Sequence, residues 1–299
     1  MPFGSNNYQI KGVEDMNKLQ SSWELVKASA RVLKMDKELV IFPILSSIGL
    51  VIVSFAMLLP TLLASLSKGF DESSFGVMSY VVLFVFYLLQ YIVIFFSNTA
   101  LVGAALIRLQ GGDPTVKDGF KIAGSHIMPI LGYALISATV GMILRMISEK
   151  SGSIGRVIVS LVGFAWNVAT FLVVPILAVE DIGPVAAIKR SVELLKKTWG
   201  EQLIGNFGLG TFFGLIFFAL FLIFIPCLVL VLMAESVSIW VVVIMCVVFL
   251  LALMLVGLLQ STLNGIYTAA VYQFAVNGQT STMFDNNMIQ NAFKQNTRF

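Results

Sequence analysis

Six stretches of this chain are almost free of charge for 20 residues or more, at 39–66, 77–107, 127–148, 157–179, 203–233 and 239–272. About 20 apolar residues at ~1.5 Å rise cross the hydrocarbon core of a bilayer, where a helix satisfies all of its own backbone groups. The pattern predicts an all-α, polytopic membrane protein with six transmembrane helices. Several stretches exceed the minimum, which allows tilt without fixing an angle. Composition points the same way: 58% of the 299 residues are apolar and 12% are charged, against about 25% charged in a soluble domain.

The few charges predict an orientation. Segments 1–38, 108–126, 180–202 and 273–299 hold 6, 3, 4 and 2 Lys/Arg, which is 15 of the 19. The other face keeps Lys68, Arg145, Lys150 and Arg156. Cytoplasmic loops carry the cationic excess, so both termini are expected in the cytoplasm. Residues 1–18 read as a polar N-terminal tail without the apolar core of a cleaved signal, 19–275 as the membrane domain, and 276–299 as a flexible, Asn- and Gln-rich cytoplasmic tail.

Other totals close doors. A net charge of +3 is too mild for a nucleic-acid partner. The two cysteines, Cys227 and Cys246, sit in apolar runs, and His126 is the single histidine. A disulfide framework, a metal site and a resident cofactor are not expected.

Each odd-numbered span follows a short helix with one apolar stripe. The first stripe is Leu19, Trp23, Val26, Ala30 and Leu33; the second is Val116, Phe120, Ala123 and Ile127; the third is Ile188, Val192, Leu195 and Trp199. Asp113-Pro114 and Gly183-Pro184 read as helix starts. The expected layout is therefore three hairpins, each preceded by a cytoplasmic interfacial amphipathic helix. Lys27, Arg31, Lys34, Lys189, Arg190, Lys196 and Lys197 would face anionic headgroups or a partner, with Trp23 and Trp199 as interfacial anchors. The return spans also end alike: Asn98 matches Asn264, Ala104 matches Ala270 and Gly112 matches Gly278, all 166 residues apart.

Polar side chains inside spans are the natural place to look for function. Gln90 and Asn167 fall near mid-membrane; Asn98, Asn206, Gln260 and Asn264 fall in the cytoplasmic third. These amides either line a polar path or hydrogen-bond packed helices to one another, the latter at roughly 0.6–2 kcal/mol each. Glu180-Asp181 could bind a cation, and is better read as capping the third surface helix. Arg145 lies near the outer surface with Glu149 as a plausible partner, and Pro60, Pro129, Pro175 and Pro226 could each kink a span. The glycines that open span five are not a nucleotide loop, since no Lys-Ser/Thr follows them.

The most distinctive wording runs from Phe171 to Gly210, through Pro175-Ile-Leu-Ala-Val-Glu-Asp-Ile-Gly-Pro and Lys196-Lys-Thr-Trp-Gly-Glu-Gln-Leu-Ile-Gly-Asn. With Ser22-Trp23, Phe42-Pro43 and Asn264-Gly-Ile-Tyr-Thr-Ala-Ala-Val-Tyr, it resembles a bacterial family of six-helix integral membrane proteins of unknown function. That resemblance implies a bacterial inner membrane. The plan is loosely similar to the membrane domain of glycerophosphoryl diester phosphodiesterases. It departs from them in lacking a soluble barrel and a metal-binding cluster, so their hydrolysis does not carry over.

Three function classes follow. A transporter or channel comes first, because repeated hairpins with intramembrane amides can enclose a path. A membrane-organising scaffold that holds anionic lipid or a partner on its basic helices is second. An enzyme comes last, since no nucleophile–base pair is visible and no catalytic residue is expected. Expected partners are the bilayer, its anionic headgroups, and a homo-oligomer or another membrane protein.

Overall fold

The computed structural model describes residues 23–68, 77–199, 208–233, 238–279 and 284. Among the described residues there is no strand. We number the helices α1 (residues 23–35), α2 (Ile41–Lys68), α3 (Val77–Leu109), α4 (Val116–Ser125), α5 (Ile127–Lys150), α6 (Ser153–Ala169), α7 (Val173–Val179), α8 (Pro184–Trp199), α9 (Gly208–Met233) and α10 (Ile239–Asn277). Six segments are long and apolar enough to cross a membrane: Lys37–Pro60, Tyr80–Leu109, Ile127–Lys150, Ser153–Val179, Phe212–Met233 and Ile239–Asn277. These point to an integral membrane protein.

The chain divides into two compact units, Met1–Val40 with Trp199–Phe299, and Ile41–Thr198. In the second unit α3 is the hub, touching α2, α4, α5 and α7, while α6 packs on α5. In the first unit α9 packs on α10, and the 3₁₀ turn Lys37–Val40 also touches α10. Trp23 of α1 meets Phe212 of α9 with ring centroids 5.3 Å apart.

Helix α3 has 33 residues and α10 has 39. At ~1.5 Å per residue these run to roughly 50 and 58 Å, well beyond a ~30 Å hydrocarbon core. Burial concentrates in their C-terminal parts. Residues 100–106 and 109 of α3 are buried, 107 and 108 half-buried; 266–272 and 275 of α10 are buried, 273 and 274 half-buried. The two patterns agree position by position at the 166-residue offset read from sequence. Small residues make this possible: a Cβ on Gly103 would stand 2.9 Å from Ile122 of α4, and one on Gly119 of α4 only 2.7 Å from the Ala100 carbonyl oxygen.

The matched ends differ by one residue. Gly111 (φ 90°), rather than Gly112, takes the left-handed conformation that ends α3. Its N–H donates to the Arg108 carbonyl and that of Gly112 to the Ile107 carbonyl, both at 2.9 Å. Gly278 (φ 71°) ends α10 with the simpler single bond, 2.8 Å to the Phe274 carbonyl.

Two helix boundaries depart from expectation. Helix α4 is capped by Thr115, whose hydroxyl accepts from the Asp118 N–H while the Asp118 carboxylate accepts from the Thr115 N–H. Pro114 thus precedes the cap, and Asp113 pairs with Arg108 instead. Span four is not one helix: α6 ends at Ala169 and α7 begins at Val173.

Candidate functional site

The helices α1, α4 and α8 share one three-row design. In α8, Ala187, Ser191 and Leu194 are buried; one residue on, Ile188 and Val192 are half-buried and Leu195 is buried; one further on, Lys189, Glu193 and Lys196 are exposed. In α1 the buried row is Leu25, Ser29 and Val32, continued by Asp36 just past the helix end. The middle row is Val26, buried, with Ala30 and Leu33 half-buried, and the exposed row is Lys27, Arg31 and Lys34. In α4, Gly119 is buried and Ile122 half-buried; Val116 and Phe120 are half-buried with Ala123 buried; Lys117, Lys121 and Gly124 are exposed.

The protein-facing row therefore sits one residue before the stripe expected from sequence. Small residues stand in that row where a backbone comes close: a Cβ on Gly119 would be 2.7 Å from the Ala100 carbonyl oxygen, and Ser191 accepts from the Leu172 N–H. Trp23 of the expected stripe remains 44% exposed, with the Lys27 Nζ 5.2 Å over its ring. Lys197 is exposed and Arg190 half-buried. The side chain of Trp199, the residues Leu19 and Asn206, the N-terminal tail 1–18 and the C-terminal tail apart from 276–279 and 284 lie outside the described residues.

Helix α8 is tied to the break in span four. The turn tightens where the N–H groups of Phe171 and Val173 bond carbonyls three residues back, Val168 at 3.2 Å and Thr170 at 3.1 Å. Leu172 donates instead to the Ser191 Oγ, a fully buried bond of 3.1 Å. Pro175 lacks the N–H that would bond the carbonyl of residue 171. Arg190 adds an ion pair to Glu180 at 3.4 Å. Glu180 thus engages the second turn of α8. The start is formed by Pro184 in the first helical position, as expected. The other prolines do not break a span: Pro60 and Pro226 lie inside continuous α2 and α9, and Pro129 falls in the first turn of α5.

The intramembrane amides have separate surroundings. Gln90 is half-buried, and its Nε2 donates 2.9 Å to the Ser54 Oγ of α2. Asn98 and Gln260 are half-buried; Asn167 and Asn264 are exposed. Arg145 bonds Glu149 at 2.8 Å and the Tyr87 hydroxyl of α3, which joins the far ends of α3 and α5. His126 sits at the α4–α5 junction, with its Nδ1 3.0 Å from the Ile122 carbonyl.

Sequence reasoning overlooked Ser191, Ser54 and the Thr115–Asp118 cap. Only the cap has a local signal, a Thr followed three residues later by an acid. Ser191 and Ser54 act through residues far away in the chain.

No curated protein and no solved structure matches the chain. A family model does match, over residues 77–282, which takes in α3 to α10 and the Pro175-to-Asn206 and Asn264 wording. The chain belongs to a family of unknown function (DUF6159).

Proposed function

We propose that this is a multi-pass protein of a bacterial inner membrane that organises anionic lipid on its cytoplasmic face, by binding rather than catalysis. The observation behind this reading is the shared row order of α1, α4 and α8: packed, then apolar with one buried residue and the others half-buried, then mainly basic and exposed. A helix lying in a membrane interface needs that order, with one side against its own protein, one toward acyl chains and one toward headgroups. Each cation near an anionic surface contributes about 1 kcal/mol. Lys27, Arg31, Lys34, Lys117, Lys121, Lys189, Lys196 and Lys197 are exposed for that role.

Trp23, beside Lys27, reports the headgroup layer directly. With Trp166, Trp199 and Trp240 replaced by Phe, brominated phosphatidylglycerol should quench Trp23 more strongly than brominated phosphatidylcholine in mixed vesicles. The variant Lys27→Gln/Arg31→Gln/Lys34→Gln should remove the difference. Equal quenching by both lipids in the parent protein would refute the reading. Solute flux into the same vesicles that vanished on Gln90→Leu/Asn167→Leu would restore a conducting path as the better account.

A further inference from the structure

Helix α6 has no buried residue, and it packs on α5 through a half-buried side that includes Val159, Gly163 and Trp166. Beside that contact runs a second row: Ser153, Arg156, Ser160, Gly163 and Asn167, at spacings of three, four, three and four, which is one face of a helix. Apart from Gly163, every residue of this row is exposed. It is the only polar strip on a helix otherwise made of Ile, Val, Leu, Phe, Ala, Gly and Trp. Ser160 satisfies itself on the Arg156 carbonyl at 2.9 Å. Asn167 has no hydrogen-bond partner among the described residues, in contrast to Gln90.

Asn167 lies roughly 21 Å along α6 from Ser153 at ~1.5 Å per residue, inside the span. An amide facing acyl chains there loses its hydrogen bonds to water and gains none, so it is driven to find a polar partner. The amide carries both donors and an acceptor, so it is its own complement. Two copies inserted the same way and related by a two-fold axis along the membrane normal would bring their Asn167 side chains together at one depth. Gly163, one turn away at the edge of the α5 contact, and Ser160, two turns away, are small enough for the helix backbones to approach. Arg156 lies at the α6 end where its side chain reaches water, and there crossing helices diverge. We propose that the protein forms a two-fold dimer in the membrane through the Ser160–Gly163–Asn167 row of α6, sealed by a reciprocal Asn167 hydrogen bond. This rests on span four lying in lipid, and not on headgroup binding by the basic helices.

The test uses the full chain with Cys227→Ala and Cys246→Ala, reconstituted in phosphatidylcholine vesicles. A single cysteine at Ser160→Cys should give a disulfide-linked dimer under a membrane-permeant oxidant. A cysteine at Val162→Cys, exposed on a different side of α6, should not. Energy transfer between labelled copies, followed as lipid dilutes them, should show a dissociation constant raised about five- to thirtyfold by Asn167→Leu. Asn167→Gln, which keeps an amide, should retain most of the association and controls for folding. Equal cross-linking at both cysteines, no energy transfer above that of random mixing, or a dissociation constant indifferent to Asn167→Leu would each overturn the proposal.

Discussion

Helix α3 and span four each lead into a basic helix, yet one is continuous and the other is broken. Helix α3 carries 33 residues to Leu109 without interruption and ends on Gly111. Span four stops at Ala169 and restarts at Val173. Proline alone does not explain the contrast, because Pro60 and Pro226 sit inside unbroken helices. What sets span four apart is a second partner. Ser191 of α8 offers an oxygen to the Leu172 N–H, so the backbone can leave its own ladder without an orphaned donor. The basic helices are correspondingly attached in two ways: α4 to α3 by close packing at Gly119, and α8 to span four by a hydrogen bond.

The largest effect should come from the packed attachment. Gly119→Ala places a Cβ 2.4 Å from Phe42 and 2.7 Å from the Ala100 carbonyl oxygen. Backbone cannot move aside cheaply, so the loss should approach ~3 kcal/mol, read as easier unfolding in mixed SDS micelles. A wild-type midpoint would mean that α4 is not held by close approach.

Ser191→Ala should cost somewhat less, about 2 kcal/mol, by leaving a buried N–H without an acceptor. Its sharper readout is hydrogen exchange of the Leu172 amide, which should accelerate. Pro175→Ala alone should leave the break in place, because Ser191 still holds Leu172. Relative to Ser191→Ala, the double variant Ser191→Ala/Pro175→Ala should recover slow exchange, as a continuous helix. Slow exchange of the Leu172 amide in Ser191→Ala by itself would show that the Ser191 hydroxyl does not hold the break and collapse the comparison.

The smallest effect concerns the start of α4. The Asp118 carboxylate is held below the usual range by the Thr115 hydroxyl first, then by the Thr115 N–H, with Lys121 and Lys117 helping. A lowered value means that this support is complete above the ordinary carboxylate pKa of about 4 and is lost as pH falls through the depressed one. The thermal midpoint of the wild type should therefore fall more steeply below pH 4 than that of Asp118→Asn. Parallel profiles would remove the cap from the account.

Much of the architecture was legible because lipid leaves a chain few options. Long apolar runs mark helices wherever they occur, and the six candidate spans lie close to the stretches read from sequence. The 166-residue match between the ends of α3 and α10 was also visible, as Asn98 and Ala104 recur at Asn264 and Ala270. The basic residues of α1 and α8 could be named in advance, since charge and helical spacing are local properties. The roles of the amides could not. Gln90 and Asn167 look alike in sequence, and the neighbour opposite each decides between a bond to Ser54 and an exposed face.

By itself, the sequence determined the helical class, the number of apolar spans and the rows of cations, all of which follow from local hydropathy and periodicity. The tertiary structure decided which row of α4 and α8 is packed, because that depends on another backbone approaching Gly119 and Ser191. It also decided where span four breaks. A proline permits a break, but an acceptor from 19 residues further along the chain, the Ser191 hydroxyl, makes this one stable.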